Sequence, residues 1–247
     1  MSKPSNITVI TSVTGGKDTP REQDVKSNAD FLFFTDTPFE SDTWEVRAAC
    51  NLFKDPRRNS RIHKLLPQQY CTTEYSIWID GGMKLLDTPE NLIKKYLKDH
   101  DIAVFKHTGR DCIYDEAMKC AVARLDDPEV IITQASTYEA AGYGKHKGLA
   151  ECGFILRRHT PKVIQFNNAW WSEYCRHSVR DQISFMYAAD SVGIPVNIIE
   201  SPWYMSMDNT SAIRKGIIEM KPHVILNPIV PKQQVIDLTH LNPLYNA

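Results

Sequence analysis

Asp80 has the sequence position that best suits chemistry on phosphate groups. It ends an apolar run of strand-forming residues that begins at Tyr75, and Gly81 and Gly82 follow it directly. A strand in this place carries the carboxylate to the edge of a sheet, and glycine lets a phosphate or a metal ion approach the backbone. Hard divalent cations prefer carboxylate and phosphate oxygens. An Asp-Gly pair is equally typical of a β-turn, so a purely structural role stays open.

A second carboxylate, Asp36, also ends an apolar run. The run starts at residue 30 and is nearly continuous, which is typical of a strand covered on both faces in a parallel sheet. The strand predicted over residues 7–13 leads into a turn at Gly15. An acid at this edge can accept hydrogen bonds from a ribose or a base. The alternative is an Asx turn before Pro38.

Three basic residues, Arg57, Arg61 and Lys64, recur at helical spacing in a segment predicted as a helix over 57–66. Spacings of four and three residues place them on one face of that helix. Fixed positive charge suits a diphosphate, and arginine can bind phosphate oxygens in pairs. The alternative is an ordinary solvated helix face. The stripe immediately precedes the strand that ends at Asp80, which favours the functional interpretation.

Two loops carry polar side chains next to predicted strands. His107 and Arg110 follow a short strand predicted over 102–105, and Glu151 comes directly before a strand predicted over 152–156. At the ligand-binding edge of a sheet, such side chains can contact a sugar or an acceptor. The alternatives are a hydrogen-bonded structural loop for the first pair and a solvated carboxylate for Glu151.

Aromatic and charged residues lie close together later in the chain. Aromatic rings stack on sugar rings and carboxylates bind sugar hydroxyl groups, so this composition suits a sugar-binding surface. Tryptophan is also typical of a hydrophobic core, and an aspartate that begins a helix is favourable there in any case. The candidates are Arg157, Trp171, Glu173, Arg180, Asp181 and Gln182.

The order of the predicted elements indicates the fold class. Strands alternate with helices, which predicts an α/β fold with a mainly parallel central sheet flanked by helices. Ligands of such sheets bind beyond the carboxyl ends of the strands, where Gly15, Asp36 and Asp80 are predicted to lie. We expect one domain over residues 1–247, with a core at 7–200 and a C-terminal extension at 201–247 that wraps over the sheet.

Composition and charge exclude several classes of function. The 247 residues are 42% hydrophobic with a net charge of −1, so the chain can form a substantial core and is not a general polyanion binder. We find no signal peptide and no apolar run that could span a membrane, so a cytoplasmic location is expected. The six cysteines form no Cys-x-x-Cys pair, which predicts reduced thiols and indicates no zinc site. Walker A and GxGxxG motifs are absent.

Four motifs occur in order along the chain. They are YSIWIDGG at 75–82, HTGRDCIYDEA at 107–117, FILRRH at 154–159, and WSE at 171–173 with SVRDQISF at 178–185. Together they resemble the glycosyltransferase-like family of the plant mucilage and pollen-tube turgor proteins and their bacterial and viral relatives. The resemblance covers roughly residues 7–200. It implies a GT-A-like fold and transfer of a sugar from a nucleotide-diphosphate sugar, with a UDP-sugar favoured.

The resemblance also implies a divalent cation, Mn²⁺ or Mg²⁺, held against the diphosphate by an Asp-x-Asp motif. This sequence keeps the first aspartate as Asp80 and has Gly82 in place of the second. Enzymes with this fold often add a late histidine as a further ligand. His223 is the first candidate here, and His240 is the alternative.

These observations predict a division of roles. The residues expected to bind the nucleotide sugar are Thr11, Ser12, Gly15, Asp36, Arg61, Lys64, Asp80, Gly81, His107 and Arg110. Asp181, or alternatively Glu151, is expected to face the sugar. Either is a general base if transfer inverts the anomeric centre, and an orienting group if transfer retains it.

The acceptor is expected to be a hydroxyl group on a glycan or a lipid-linked glycan. A hydroxymethylated DNA base is a further possibility, because the basic segments 54–64 and 145–162 suit a phosphate backbone. Two other classes of function stay open. One is a non-catalytic protein that binds sugar nucleotides or glycans, and the other is a metal-dependent hydrolase that uses Asp80.

Overall fold

The computed structural model describes residues 5–18, 20–207 and 210–221. Strands and helices alternate through most of this part of the chain, as the sequence predicts. The strands are β1 (Ile7–Val13), β2 (Asp30–Thr35), β3 (Glu45–Ala48), β4 (Tyr75–Ile79), β5 (Met83–Leu85), β6 (Ile102–Lys106), β7 (Ala150–Arg158), β8 (Asn197–Ile199), β9 (Tyr204–Met205), β10 (Ala212–Arg214) and β11 (Ile218–Met220).

Seven of these strands form the central sheet, in the order β3-β2-β1-β4-β7-β6-β8. All neighbouring pairs are parallel except those of β7, which runs antiparallel to both β4 and β6. Every residue of β1 is buried, in agreement with a central strand covered on both faces. The predicted fold class, an α/β fold with a mainly parallel sheet flanked by helices, is confirmed.

The helices begin where local sequence signals place them. They are α1 (Pro56–Leu65), α2 (Pro89–Tyr96), α3 (Ile113–Val122), α4 (Pro128–Ala140), α5 (Pro161–Arg176) and α6 (Asp181–Val192). Four of them start with proline, which lacks the N–H group that a first helical turn leaves unpaired. In each of these four, the preceding Asp or Thr side chain accepts a hydrogen bond from the first turn; the capping residues are Asp55, Thr88, Asp127 and Thr160.

The two faces of the central sheet have different covers. Helices α1, α5 and α6 pack on one face around the buried rings of Trp78, Phe166 and Trp170. Helix α2 covers the other face together with β5 and β11, around Phe33 and Phe154. Helices α3 and α4 form a third cluster against α6. The carboxyl ends of β1, β2 and β4 stay free of these covers, and this edge carries the candidate site.

A second sheet, which the sequence did not predict, joins the C-terminal extension to the core. It is antiparallel, with the order β5-β11-β10-β9. Its strands have two or three residues each, too few for an alternating pattern to be recognised. The described part of the extension therefore pairs with β5, directly after the Asp80 turn, and its Ile217 and Ile218 belong to the core on that face of the sheet.

No helix in the described ranges is long and apolar enough to cross a membrane. All six cysteines are free thiols in the structure.

Candidate active site

Four charged side chains meet beyond the carboxyl end of β4. Lys64 Nζ, from the last turn of α1, lies 2.5 Å from Asp181 Oδ2 and 3.8 Å from Asp80 Oδ1. Arg61 Nε, one turn earlier in α1, lies 3.3 Å from the same oxygen of Asp181. Two residues of the predicted basic stripe and the two predicted carboxylates thus converge, although Asp80 and Asp181 are 101 positions apart in the chain. The third residue of the stripe, Arg57, pairs with Asp55 instead.

Burial makes this cluster electrostatically strong. The Lys64 side chain is 2% exposed and that of Asp181 is 11% exposed, so water screens their attraction little. Burial alone raises the pKa of Asp181, but the charges of Lys64 and Arg61 outweigh it and lower this pKa to about 2. The carboxylate therefore stays ionised and fixes both cations next to Asp80.

Asp80 itself lies partly open to solvent. Trp78 Nε1 donates a 2.9 Å hydrogen bond to Asp80 Oδ1, which orients the carboxylate. A Cβ at position 153 would lie 2.7 Å from Met83 Cε and 3.3 Å from Asp80 Oδ2, so glycine there lets both side chains pack against β7. Gly81 packs still more tightly, since a Cβ at this position would lie 2.1 Å from Val13 Cγ2. The turn after β4 is thus held against β1 while Asp80 faces the open edge.

Asp18 is a nearby carboxylate that the sequence did not single out. Its Oδ1 would lie 3.5 Å from a Cβ built on Gly82. Burial lowers the pKa of Arg61, but nearby charges outweigh this and raise it, with Asp18 contributing less than Asp181 and Asp80. Asp18 follows no strand directly and belongs to no motif, so only the fold reveals that it faces the Asp80 turn.

These groups fit a hard divalent cation. Mg²⁺ and Mn²⁺ are commonly bound by one or two carboxylates together with substrate phosphates and water. The Asp80 side chain is 35% exposed at the turn after β4, and Asp18 approaches the same turn from the loop after β1. The predicted third ligand, His223, and its alternative, His240, lie outside the described residues.

A cleft lies at the ends of β1, β2 and β3. Asp36 Oδ2 accepts a 2.8 Å hydrogen bond from the backbone N–H of Gly15, which has a left-handed φ of +67°. The cleft has a volume of about 410 Å³ and is lined in part by Thr14, Asp36 and Asn59. Thr11 and Ser12, predicted to contact the nucleoside, are buried within β1 instead of lining this cleft.

His107 and Arg110 form a compact ion-pair network. Arg110 Nη2 lies 2.6 Å from Glu116 Oε2, and His107 Nδ1 accepts hydrogen bonds from the backbone N–H groups of Gly109 and Arg110. Burial lowers the pKa of His107, and the nearby charge of Glu116 only partly offsets this. Both side chains are therefore bonded to partners in the segment that follows β6, which includes the first turn of α3.

Glu151 is part of a buried ion pair with the C-terminal extension. Its Oε2 lies 2.6 Å from Arg214 Nη2, and its Oε1 accepts a 3.0 Å hydrogen bond from Trp203 Nε1. The guanidinium of Arg214 is completely buried, with its Cζ atom 4.0 Å from the centre of the Phe105 ring and 4.5 Å from that of Trp203. Both carboxylate oxygens of Glu151 are thus occupied by partners within the protein.

The remaining sugar-binding candidates are dispersed. Glu173 Oε2 accepts a 2.8 Å hydrogen bond from the Tyr138 hydroxyl group, and the half-buried ring of Trp171 packs on Phe53 and Tyr174. Arg180 and Gln182 flank Asp181, and the charge of Arg180 contributes to the lowered pKa of Asp181.

The structure does not place Arg157 with the other candidates. Its side chain has no exposed surface, and burial lowers its pKa to about 9. Its Nη1 donates a 3.0 Å hydrogen bond to the carbonyl oxygen of Lys64, and its guanidinium lies 5.6 Å from the centre of the Trp170 ring. Direct contact with a sugar, as predicted, does not agree with this burial. Arg157 instead supports the end of the helix that carries Lys64.

The fold and this edge define an α/β protein with a site of paired cations and carboxylates at a point where nucleotides bind in such sheets. A family model described as TOD1/MUCI70, glycosyltransferase-like domain, matches residues 35–223. The chain belongs to this family, and the predicted resemblance is confirmed.

Two relatives come from Arabidopsis thaliana. The probable hexosyltransferase MUCI70 is 30% identical over 176 residues, which are 66% of this chain and 29% of that protein. The alkaline ceramidase TOD1 is 26% identical over 164 residues, which are 61% of this chain and 36% of that protein. The matched segments therefore span about a third of the length of these relatives.

Solved structures with some similarity are also glycosyltransferases by description. The apo form of mouse xyloside xylosyltransferase 1 aligns with a TM-score of 0.44 and 9% identity over 79% of this chain and 84% of that chain. The apo structure of the bifunctional glycosyltransferase WbbM aligns with a TM-score of 0.46 and 10% identity over 80% of this chain and 39% of that chain.

Proposed function

We propose that this chain is a metal-dependent glycosyltransferase that moves a sugar from a nucleoside-diphosphate donor, with a UDP-sugar favoured, to a hydroxyl group. Family membership supports the reaction class. The observation that carries the proposal is the meeting of Lys64, Arg61 and Asp80 at the open edge of the sheet. Two fixed cations next to a carboxylate match the charge pattern of a metal–diphosphate group.

The donor lies across this edge in the proposed complex. Asp36 and the Gly15 turn bind the nucleoside in the cleft at the ends of β1 to β3. Arg61, whose side chain is 29% exposed, faces the diphosphate, and the buried Lys64 adds positive charge behind it. Asp80, with Asp18 as a second carboxylate at the same turn, would hold a divalent cation, which would supply positive charge to the leaving nucleotide. Asp181 already holds the side chains of Arg61 and Lys64 before substrate binds, so little reorganisation is needed when negative charge develops on the diphosphate.

Asp181 has an orienting role in this proposal. A general base works best when its pKa lies near the working pH, and the pKa of Asp181 is lowered to about 2. Its ion pairs with Lys64 and Arg61 instead hold the two cations in place. Glu151 is equally committed, to Arg214 and Trp203. Of the two roles expected for these carboxylates, the geometry supports orientation over proton abstraction.

A glycan hydroxyl is the favoured acceptor. Several cations of the basic segments that suit DNA are occupied within the protein. Arg57 pairs with Asp55, Arg58 donates to the carbonyl oxygen of Tyr174, and Arg157 is fully buried. The segments therefore offer a phosphate backbone less positive charge than their composition suggests, and nothing favours DNA over a glycan.

The test is release of nucleotide from UDP-, GDP-, CMP- and dTDP-sugars in the presence of Mn²⁺ or Mg²⁺. We expect turnover with one nucleotide class, and a loss of about 100-fold or more in Asp80→Asn, since removing one electrostatic contributor commonly costs this much. Asp99→Asn is the matched control, because Asp99 precedes β6 at the opposite edge of the sheet.

Three results would contradict the proposal. Full activity in Asp80→Asn would remove the metal assignment. Donor binding without any turnover would indicate a non-catalytic binding protein. Hydrolysis of ceramide without use of any sugar nucleotide would indicate the activity after which one relative is named.

A further inference from the structure

A second group of potential metal ligands lies apart from the Asp80 cluster. Single ligand atoms of Cys112, Asp115 and His146 all lie within 4.8 Å of one another. Cys112 follows the loop after β6, and His146 lies in the turn between α4 and β7. None of these three residues takes part in the proposed transfer reaction.

The start of α3 brings the first two ligands together. Cys112 is the N-cap residue of α3, and Asp115 is the third residue of its first turn. Side chains at these two positions face each other, which is the geometry that a capping box uses. The Cys112 thiol makes no capping hydrogen bond to the helix, although the residue is 1% exposed. Its sulfur is thus available as a ligand.

Two hydrogen bonds connect the turn that carries His146 to the start of α3. The N–H of Gly148 donates to the carbonyl oxygen of Asp111 at 2.9 Å, and the hydroxyl of Tyr114 donates to the carbonyl oxygen of Tyr143 at 2.5 Å. Between these two bonds, His146 has a φ of +56°, an uncommon conformation for a residue with a side chain. This backbone conformation brings the imidazole to the first turn of α3.

Asp111 orients the imidazole. Its Oδ1 lies 2.8 Å from His146 Nδ1, which leaves Nε2 for a metal ion. Histidine ligands of zinc are typically held in this way by a carboxylate on the other ring nitrogen, which fixes the tautomer and the ring plane.

We propose that Cys112, Asp115 and His146 form a zinc site, with water as the fourth ligand. Sulfur, imidazole nitrogen and carboxylate oxygen together suit Zn²⁺ better than they suit Mg²⁺ or Mn²⁺. At usual bond lengths tetrahedral ligands are about 3.5 Å apart, so small rotations of the exposed Asp115 and His146 side chains complete the site. On binding, the Cys112 thiol releases its proton to solvent.

The ion joins the loop 107–112 to the turn 143–148. His107 and Arg110 belong to that loop, which follows β6 at the same edge of the sheet as Asp80. The zinc therefore has a structural role, distinct from that of the cation on Asp80. The spacing of the cysteines did not predict this zinc site, because only one ligand is a cysteine. Cys112 and Asp115 lie at the start of α3, and His146 follows Asp115 by 31 residues.

The test is titration of the reduced, metal-free full chain with Co²⁺, followed by Zn²⁺ competition. We expect one Co²⁺ per chain with a thiolate-to-metal charge-transfer band in the near ultraviolet, displaced by Zn²⁺, and a higher melting temperature with Zn²⁺. Asp111→Asn should weaken binding about 10- to 100-fold, and His146→Gln at least as much. His146 is exposed, so this variant avoids the risk of misfolding that Cys112→Ser carries.

Cys175→Ser is the matched control, since the exposed Cys175 thiol on α5 should not affect the band. Asp80→Asn should also leave the band unchanged, which separates this proposal from the proposed transfer activity. Absence of a thiolate band at saturating Co²⁺ would overturn the site. A band that persists with unchanged affinity in His146→Gln, or that disappears in Cys175→Ser, would do the same.

Discussion

Lys64 and Asp181 are the residues on which the proposed donor site depends most. Lysine is rarely buried without a partner, because removing its charge from water is costly. Here the nearly inaccessible ammonium group has Asp181 at 2.5 Å and Asp80 at 3.8 Å. Asp181 is therefore the main partner of Lys64 within the protein, while the Asp80 side chain stays 35% exposed.

Asp181→Asn should destabilise the protein strongly. The substitution leaves Lys64 buried without its closest carboxylate, and breaking a buried pair from one side commonly costs about 3–5 kcal/mol. The measurement is urea unfolding followed by circular dichroism. Asp190→Asn is the control, since Asp190 pairs with Lys147 on the surface, where such pairs contribute at most about 1 kcal/mol. A loss no larger than that of the control would contradict the role assigned to Asp181.

At the scale of elements, the turn after β4 depends on the absence of one side chain. A Cβ at position 81 would lie 2.1 Å from Val13 Cγ2, whereas the nearest atom to a Cβ at position 82 is Asp18 Oδ1 at 3.5 Å. The two glycines are adjacent, but only the first permits the turn to pack on β1.

We therefore predict that Gly81→Ala destabilises the protein by about 1–3 kcal/mol, the usual cost of forcing extra volume into a packed site. Gly82→Ala should change the free energy of unfolding much less. Because the clash moves Asp80, donor affinity should fall in the Gly81 variant more than in the Gly82 variant. Thermal unfolding and donor titration measure both effects. Equal effects of the two substitutions would show that the approach to Val13 is not limiting.

The contact of α1 with β2 should make stability depend on pH. His63 is buried, with its ring centre 4.1 Å from that of Phe34 and 4.4 Å from that of Tyr70. Burial lowers the pKa of His63 to about 4, although hydrogen bonds to the backbone of Ser60 and Asn59 raise it. The unfolded chain therefore binds a proton at His63 more readily than the folded protein does. The stability that neutral His63 gives the folded protein is complete above the unfolded pKa of about 6.5 and is lost as the pH falls from there through about 4.

His63→Phe should remove this contribution, which is about 3 kcal/mol between neutral pH and pH 4. Phenylalanine keeps the stacked ring and does not titrate. His159, whose pKa is also lowered to about 4 by burial and by the charge of Arg157, continues to titrate in the variant. The free energy of unfolding, measured across this pH range, should therefore fall less steeply with decreasing pH. An unchanged slope would show that folding does not lower the pKa of His63.

Helix starts and the main strands were predictable because their signals are local. An Asp or Thr followed by proline marks the starts of α1, α2, α4 and α5, and α1 begins one residue before the helix predicted over 57–66. The direction of β7 was not predictable, because it is determined by its pairing with β4 and β6. The strands of the second sheet were too short to give a periodic signal.

The residues of the candidate active site were also predictable only where they belong to a local sequence pattern. Lys64, Asp80 and Asp181 each follow a local pattern and were recognised one by one. Asp18 has no such pattern, and only the loop after β1 brings it towards Gly82. The partner of Glu151 was not predictable either, because Arg214 comes from a short strand 63 residues later.

At the scale of the whole molecule, the Glu151–Arg214 pair connects the central sheet to the C-terminal sheet. Arg214 is completely buried and also donates to the carbonyl oxygen of Ser201. Glu151→Gln removes the negative charge, so it should destabilise the protein by about 3–5 kcal/mol. It should also increase hydrogen exchange in β9 to β11 more than in β1 or β4.

Lys106→Gln is the control for this prediction. Lys106 and Glu200 form an exposed ion pair near the same end of β6, where water screens the charges, so exchange should be unchanged. If Glu151→Gln accelerates hydrogen exchange equally in all strands, the ion pair stabilises the whole fold equally, and the predicted specific role in holding the second sheet is wrong.

The central claim is that this edge of the sheet binds a nucleotide sugar with a divalent cation. The most direct measurement is thermal unfolding with UDP-, GDP-, CMP- and dTDP-sugars, each with and without Mn²⁺, for the native chain and for Asp80→Asn. We predict a higher melting temperature with one nucleotide class, a larger increase with Mn²⁺, and loss of the Mn²⁺-dependent part in the variant, because a ligand that binds the folded state stabilises it. No increase with any donor at saturating concentration, with or without Mn²⁺, would contradict the claim.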